Sequence, residues 1–393
     1  MTKSQKRRGR RGLGAAALIL AAGGLLAVTA PTAASASSGS PQGRSACPQQ
    51  TRNTVRTGNF AGIVSAVRIG STCPAVHTTS NPANGTPPLI FHGGSVMMTP
   101  STSPLVITPI FWNPASYPMA NSYKQLLKTY LSDVAAASGV RSNVYSVLNE
   151  YYGHNGQIHY DITLGNPIGD SHALPASGCT VASTDTTGIY ADGSGYSACL
   201  DDAQLQAEIN RIVTAGGLPV NLSHIYVLYL PKHVESCFDA GSTTTSANQC
   251  TINYEPSAAY CAYHSQVSNG TVYANLPYPI YSSPTGLTCG SDAVYGVEES
   301  PNNNPDADTE ISPTSHETAE AITDPDTQTG WYDSSGYEIG DECAYVYGTP
   351  SGSAGQYYNQ VINGKHFLTQ EEFSNKDFAL TSGGCVQAAK DEA

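Results

Sequence analysis

Apolar positions along this chain follow the two periods expected of strands and helices. Residues 224–230 (HIYVLYL) are almost continuously apolar, the pattern of a strand buried on both faces. Residues 105–112 (LVITPIFW) read as a second buried strand, and Pro109 inside it predicts an edge position or a bulge, because proline cannot donate to a ladder. Residues 157–164 alternate like a strand, and 272–276 add another. Helical spacing appears in 121–137 (Tyr123, Leu126, Leu127, Tyr130, Leu131), in 140–152 (Val144, Val147, Leu148, Tyr151, stopped by Gly153) and in 201–215 (Leu205, Ile209, Ile212, Val213). Strands and helices alternate without an internal repeat. The pattern predicts an α/β (α+β) fold, a mixed sheet with packed helices, in one main domain over 101–388.

The last predicted helix carries the chemistry. Ser312 is placed to cap it, Pro313 suits the first helical position, and Pro325 stops it. Between them runs His316-Glu317-x-x-Glu320. Residues four apart share a helix face, so His316 and Glu320 point the same way, as in the H-E-x-x-H zinc motif with glutamate for the second histidine. A hydrolytic zinc site needs three protein ligands, an open position for water and a base. His316 and Glu320 supply two ligands, and Glu317 is placed as the base. For the third, Asp341 is expected, brought back by a turn over 324–330, with Glu338 and His264 as the other candidates. Two carboxylate ligands would polarise a bound water less than histidines do, and an oxygen-rich set suits manganese or calcium as well as zinc. A plainer reading also fits: Thr314-x-x-Glu317 is a capping-box spacing, and Glu320 is then a solvated helix residue.

Composition places this helix in an exported protein. Residues 1–36 read as a signal peptide, with six basic residues, an apolar run over 13–28 and Ala34-Ser35-Ala36 as the cleavage site. Removing it takes the net charge from −13 to −19, with 12 Lys and Arg left against 31 Asp and Glu. Such a surface repels nucleic acid and anionic membranes. No later stretch is long and apolar enough for a bilayer, so a secreted, extracellular, monomeric protein is expected. Residues 37–100, rich in Ser, Thr, Pro and Gly, read as an N-terminal extension or pro-segment. All ten cysteines follow the signal peptide, which implies disulfides: Cys47–Cys73, Cys179–Cys199 and Cys343–Cys385 by proximity, with Cys237, Cys250, Cys261 and Cys289 open.

Other constellations are weaker. His154 and His159 flank an Asn155-Gly156 turn and read as surface residues; His366 reads as packed near the C-terminal turn. Asp306-x-Asp308-x-Glu310, after Asn302–Asn304, resembles a calcium loop but lacks the full EF-hand pattern, and a solvated acidic loop is the plainer reading. Neither a G-x-S-x-G elbow nor an aspartic-protease motif is present.

Taken together, His316-Glu317-x-Ala319-Glu320, Asp324-Pro325, Trp331-Tyr332, Glu338-Ile339-Gly340-Asp341-x-Cys343 and Tyr347-Gly348 resemble the exordium-like (phosphate-induced protein 1) family of secreted plant proteins, which has similar exported proteins in bacteria. The resemblance extends to Cys261-Ala262-Tyr263-His264 and to residues 363–368, and spans most of 104–385. It implies an extracellular or cell-wall-associated protein, and some members of the family lack the His-Glu pair. The helix is also similar to the active helix of zincin metallopeptidases, which implies a zincin-like domain. It departs from them at the second ligand and lacks the metzincin continuation, although Asp326 falls where a third metzincin ligand would. Two expectations result. One is a secreted zinc peptidase acting on extracellular protein or peptide, with His316, Glu320 and Asp341 on the metal and Glu317 as base. The other is a non-catalytic wall- or glycan-associated protein.

Overall fold

A computed structural model of the chain describes residues 60–65, 67–68, 87–180, 189–241, 250–251, 260–380 and 383–389. The expected signal peptide and the Cys47–Cys73 pair lie outside them. A mixed sheet forms from β1 (Phe60–Ser65), β2 (Leu105–Trp112), β3 (Ile162–Leu164), β4 (Ile168–Asp170), β5 (His224–Tyr229), β6 (Tyr260–Gln266) and β7 (Val272–Leu276). Its order is β1-β6-β7-β5-β2, after which the far side of β2 pairs with β3 and then β4. β5 runs parallel to both β2 and β7, whereas β6 is antiparallel to β7 and to β1.

β5 is buried on both faces, as its apolar run predicts. Ile225, Val227 and Tyr229 face one core, and Tyr226 and Leu228 face another. The first core also holds helix α1 (Asn121–Ala136) through Tyr123, Leu127, Tyr130, Leu131 and Val134; the second holds α2 (Asp202–Gly216) through Leu205, Ile209, Ile212 and Val213. The result is helices on both faces of the sheet. Asp201 caps α2 in a capping box with Gln204.

Three local expectations are corrected. β2 is an interior strand despite Pro109. The amides of Leu105 and Asn113 donate to Asp161 and Asp170, so odd-numbered residues of β2 donate toward β3 and β4. Pro109 falls between the residues paired with β3 and those paired with β4, where no ladder partner awaits its missing N–H. The second expected helix is a 3₁₀ segment, Val144–Glu150, opened by the Asn143 side chain accepting from Tyr145 N. Residues 87–100, read with the extension, belong to the same core: Val96, Met97 and Met98 are buried, and Met97 N donates to Ile322 O.

The largest correction concerns the functional helix, α3. It spans Pro305–Thr323, with Pro305 in the first turn and Pro313 in its interior. The proposed start at Ser312 is therefore mid-helix. The signal is the same in kind, a proline after a polar residue, but the packing around the helix tolerates an interior proline that costs ~3 kcal/mol in isolation. Asp308 is not part of a solvated or calcium-binding loop. It accepts from Ser300 Oγ, from Asn302 N and Nδ2, and from Asn304 N, tying the preceding loop to the helix start. Every residue from Ala307 to Thr323 is buried. The helix is polar nearly all round, so its hydroxyls need partners. Tyrosines meet two of them: Tyr145 Oη lies 2.7 Å from Thr318 Oγ1, and Tyr229 Oη 3.1 Å from Thr314 Oγ1.

Beside the helix start, Glu298 accepts from Thr309 Oγ1 and Asp292 N. Burial, and then the charge of Asp292, push its carboxyl up to about 8. Between the ordinary glutamate value and pH 8 the folded state binds the extra proton, so this contribution to stability is present at low pH and is lost as pH rises through that window. Glu298 is half-buried, so solvent screening leaves roughly 2 kcal/mol. Denaturant melts between pH 5 and pH 8.5 should therefore slope less for Glu298→Gln than for the native chain; parallel profiles would refute this.

The disulfides pair Cys179–Cys199 and Cys343–Cys385 as expected, and join the open four as Cys237–Cys250 and Cys261–Cys289. Among the described residues no helix is long and apolar enough to cross a membrane.

Candidate metal centre

Three elements bring the candidate groups together: α3, β6 and the 3₁₀ turn Asp341–Cys343. On α3 the four-residue spacing sets His316 and Glu320 on one face, with Nε2 3.0 Å from Oε1. After Thr323 the chain reverses. Gly330 makes the return possible: at φ +81° it lies so close to Thr323 O that a Cβ there would be 2.5 Å away. The returning segment delivers Gly340 N and Asp341 N to Glu320 Oε1, at 3.1 and 2.9 Å. Asp341 Oδ1 then lies 3.5 Å from His316 Nε2, while its Oδ2 accepts from Glu338 N. The Cys343–Cys385 disulfide anchors this turn.

His264, on β6, stands on the other side of Glu320. Its Nδ1 is 3.3 Å from Glu317 Oε2 and 3.8 Å from Glu320 Oε2, and its Nε2 is 3.1 Å from Asp324 O and 3.6 Å from Glu338 Oε2. Two donor groups therefore share Glu320: His316 with Asp341, and His264 with Glu317. Of the residues predicted from sequence, His316, Glu317, Glu320, Asp341, Glu338 and His264 converge. Asp326 does not; it is exposed, and a carboxylate oxygen accepts from Gln328 N. His154, His159 and His366 are exposed and away from this cluster, His366 stacking on Tyr358.

The charge balance of this region is one-sided. Glu310, Glu317, Glu320, Asp324, Glu338, Asp341, Glu342 and Glu372 are all buried, and among the described residues no buried side chain is Lys or Arg. Buried carboxylates must be balanced by protons or by a cation. Burial and then Glu320 push the Asp341 carboxyl up to about 7. Burial, reinforced by Glu320 and Asp341, raises Glu372 well above the usual range. For His316, burial opposes the charged ring, but Glu320 and Asp341 outweigh it and hold its pKa well up. All three directions describe a set of donors seeking positive charge.

The donor set fits a small divalent cation. Ligands around a tetrahedral ion with bonds of about 2.0–2.1 Å stand ~3.3 Å apart, and the distances of 3.0 and 3.5 Å from His316 Nε2 bracket that. The 3.0 Å contact is to Glu320 Oε1, which already accepts two backbone amides; His316 Nε2 and Glu320 Oε2 are the atoms buried without a hydrogen-bond partner. The chemistry is one imidazole and two carboxylates, which suits zinc and, less selectively, manganese or calcium.

Two residues to which the sequence reading gave no role of their own lie against the histidine. Gln370 Nε2 lies 2.6 Å from His316 Nδ1 and 2.8 Å from Gly340 O. The amide nitrogen donates to Gly340 O and stands within hydrogen-bond distance of Nδ1, which fixes the ring with Nε2 facing Glu320 and Asp341. Nothing local flags Gln370, which is 54 residues from His316. Gly340 is needed for closeness: a Cβ there would stand 2.7 Å from His316 Nδ1 and 3.0 Å from Glu320 Oε1. Gly340→Ala should displace the ring, cost about 1–3 kcal/mol as overpacking does, and weaken metal retention. Melting and metal titration check this; a variant with native metal affinity would show that the His316 position is not critical.

No protein family, curated protein or solved structure matches the chain.

Proposed function

We propose that this chain is a secreted, metal-dependent peptidase with a zincin-like arrangement, hydrolysing extracellular protein or peptide. The observation that carries the reading is the convergence of His316, Glu320 and Asp341, with Nε2 of His316 3.0 and 3.5 Å from the two carboxylates, among buried acidic groups and with no buried Lys or Arg among the described residues. When bound there, zinc supplies a Lewis acid that polarises a carbonyl and acidifies water. The chain's own residues do the rest. The amides of Gly340 and Asp341 fix Glu320, and Gln370 orients His316. Glu317 accepts a proton on its carboxylate. His264 Nδ1, 3.3 Å away, shares that proton, while its Nε2–H donates to Asp324 O. Calcium is the alternative cation for so oxygen-rich a set.

A second reading has its own support. His316, Glu317 and Glu320 are wholly buried and Asp341 is 3% exposed; closed sites are the mark of structural metals. On this reading the chain is a non-catalytic, wall-associated protein of the exordium-like kind, with the same residues holding the fold. Elemental analysis of the purified protein, beside incubation with a mixture of unfolded proteins, separates the two. The peptidase reading expects one zinc per chain and cleavage; absence of both overturns it.

A further inference from the structure

One short strand lies beside every element of the centre. β1 lies antiparallel along β6, with Phe60 opposite Ser265, Ala61 opposite His264, Val64 opposite Ala262 and Ser65 opposite Tyr260. It also lies against α3 and against the Asp341–Cys343 turn. One short strand thus touches each of the three elements that bear His264, His316, Glu317, Glu320 and Asp341. β1 comes from the N-terminal extension, and a second piece of it, Val67–Arg68, pairs with Leu287–Thr288.

β1 is the terminal strand of the sheet, so without it β6 would be the edge. An open sheet edge is a template for an extended peptide: backbone amides and carbonyls supply affinity largely independent of sequence. The β1–β6 ladder is irregular, with register shifts between Ala61 and Val64 and between Val64 and Ser65. Such irregularities interrupt the ladder and leave the strand easier to displace than a regular one.

We propose that the outer edge of β6 is the docking site for an extended peptide segment, and that Phe60–Ser65 fills it as a resident strand that keeps the metal centre closed. This rests on the peptidase reading for the identity of the incoming segment, an unfolded or extended polypeptide. It also reconciles a hydrolytic donor set with its burial: the same backbone interactions that would hold a substrate hold the chain's own extension.

The test uses the full chain. An Ala61→Pro/Val64→Pro variant places proline at two positions paired with β6 and disfavours the paired conformation. Hydrogen exchange of the amides of residues 260–266, stripping of bound metal by a chelator, and hydrolysis of an unfolded protein are read together. Each rate is expected to rise on the order of tenfold, and a synthetic peptide copying residues 59–66, added in trans, should reverse all three. Unchanged exchange and chelator access in a variant with native circular dichroism overturn the proposal, as does failure of the peptide to reverse them. If exchange and access respond as expected but neither protein hydrolyses anything, the docking site stands and the peptidase reading falls.

Discussion

On the proposed peptidase mechanism, Glu317→Gln should yield a folded, metal-loaded protein that no longer cleaves peptides. The substitution keeps the size of the side chain and its place beside His264 but removes the carboxylate that accepts a proton. A positioned general base contributes roughly 10²–10⁴-fold, so kcat should fall on the order of 10³-fold. Metal content should hold, because Glu317 is not one of the His316, Glu320 and Asp341 donors. The measurement is initial rates on an unfolded protein together with zinc per chain, on the native chain and on the Ala61→Pro/Val64→Pro background, where the centre is expected to be open. Retained hydrolysis would sink the mechanism. Loss of metal together with activity would instead move Glu317 into the ligand set.

What was legible in the sequence follows the range of the forces involved. The four-residue spacing of His316 and Glu320 is a property of any helix, so their shared face could be read directly. The return of Asp341 was readable because Pro325 ends the helix and a short turn follows. The helix start was not. Pro313 carries the usual start signal, and only the surroundings of α3 reveal it as internal. The same holds for Asp306, Asp308 and Glu310, which read as a solvated loop because a polar run normally faces water. In the helix, Asp306 accepts from the distant Tyr278 and Tyr281, and Asp308 from the neighbouring Ser300, Asn302 and Asn304. Gln370, His264 against Glu317, and β1 along β6 are contacts across long stretches of chain, set by how the layers close. Periodicity carries no information about them. Hence the donors of the centre could be nominated in advance, while its burial and the placement of β1 along β6 could not.

Chelation should destabilise the native chain and leave Asp341→Asn untouched. A ligand that binds only the folded state stabilises it by RT ln(1 + [L]/Kd), about 4 kcal/mol at a thousandfold excess over Kd. At roughly 2 °C per kcal/mol for a domain of this size, stripping the metal should lower Tm on the order of 10 °C. The loss has a physical source in the centre itself: without a cation, Glu320 and Asp341 face each other across His316 with only protons to balance them. Asp341→Asn preserves the shape of the turn, since a side-chain oxygen still accepts from Glu338 N, but it removes one ligand and one negative charge. That variant should bind no stoichiometric metal and should melt at the same temperature with and without chelator. It should also lie above the metal-stripped native chain, because one of the opposed carboxylates is gone. Chelator must be given time to act while Phe60–Ser65 is in place, so the native shift should develop slowly and appear sooner in the Ala61→Pro/Val64→Pro variant. Equal chelator sensitivity in the native chain and in Asp341→Asn would place the stabilising metal elsewhere, with His264, Glu317 and Glu320 as the remaining buried donor set that includes a histidine.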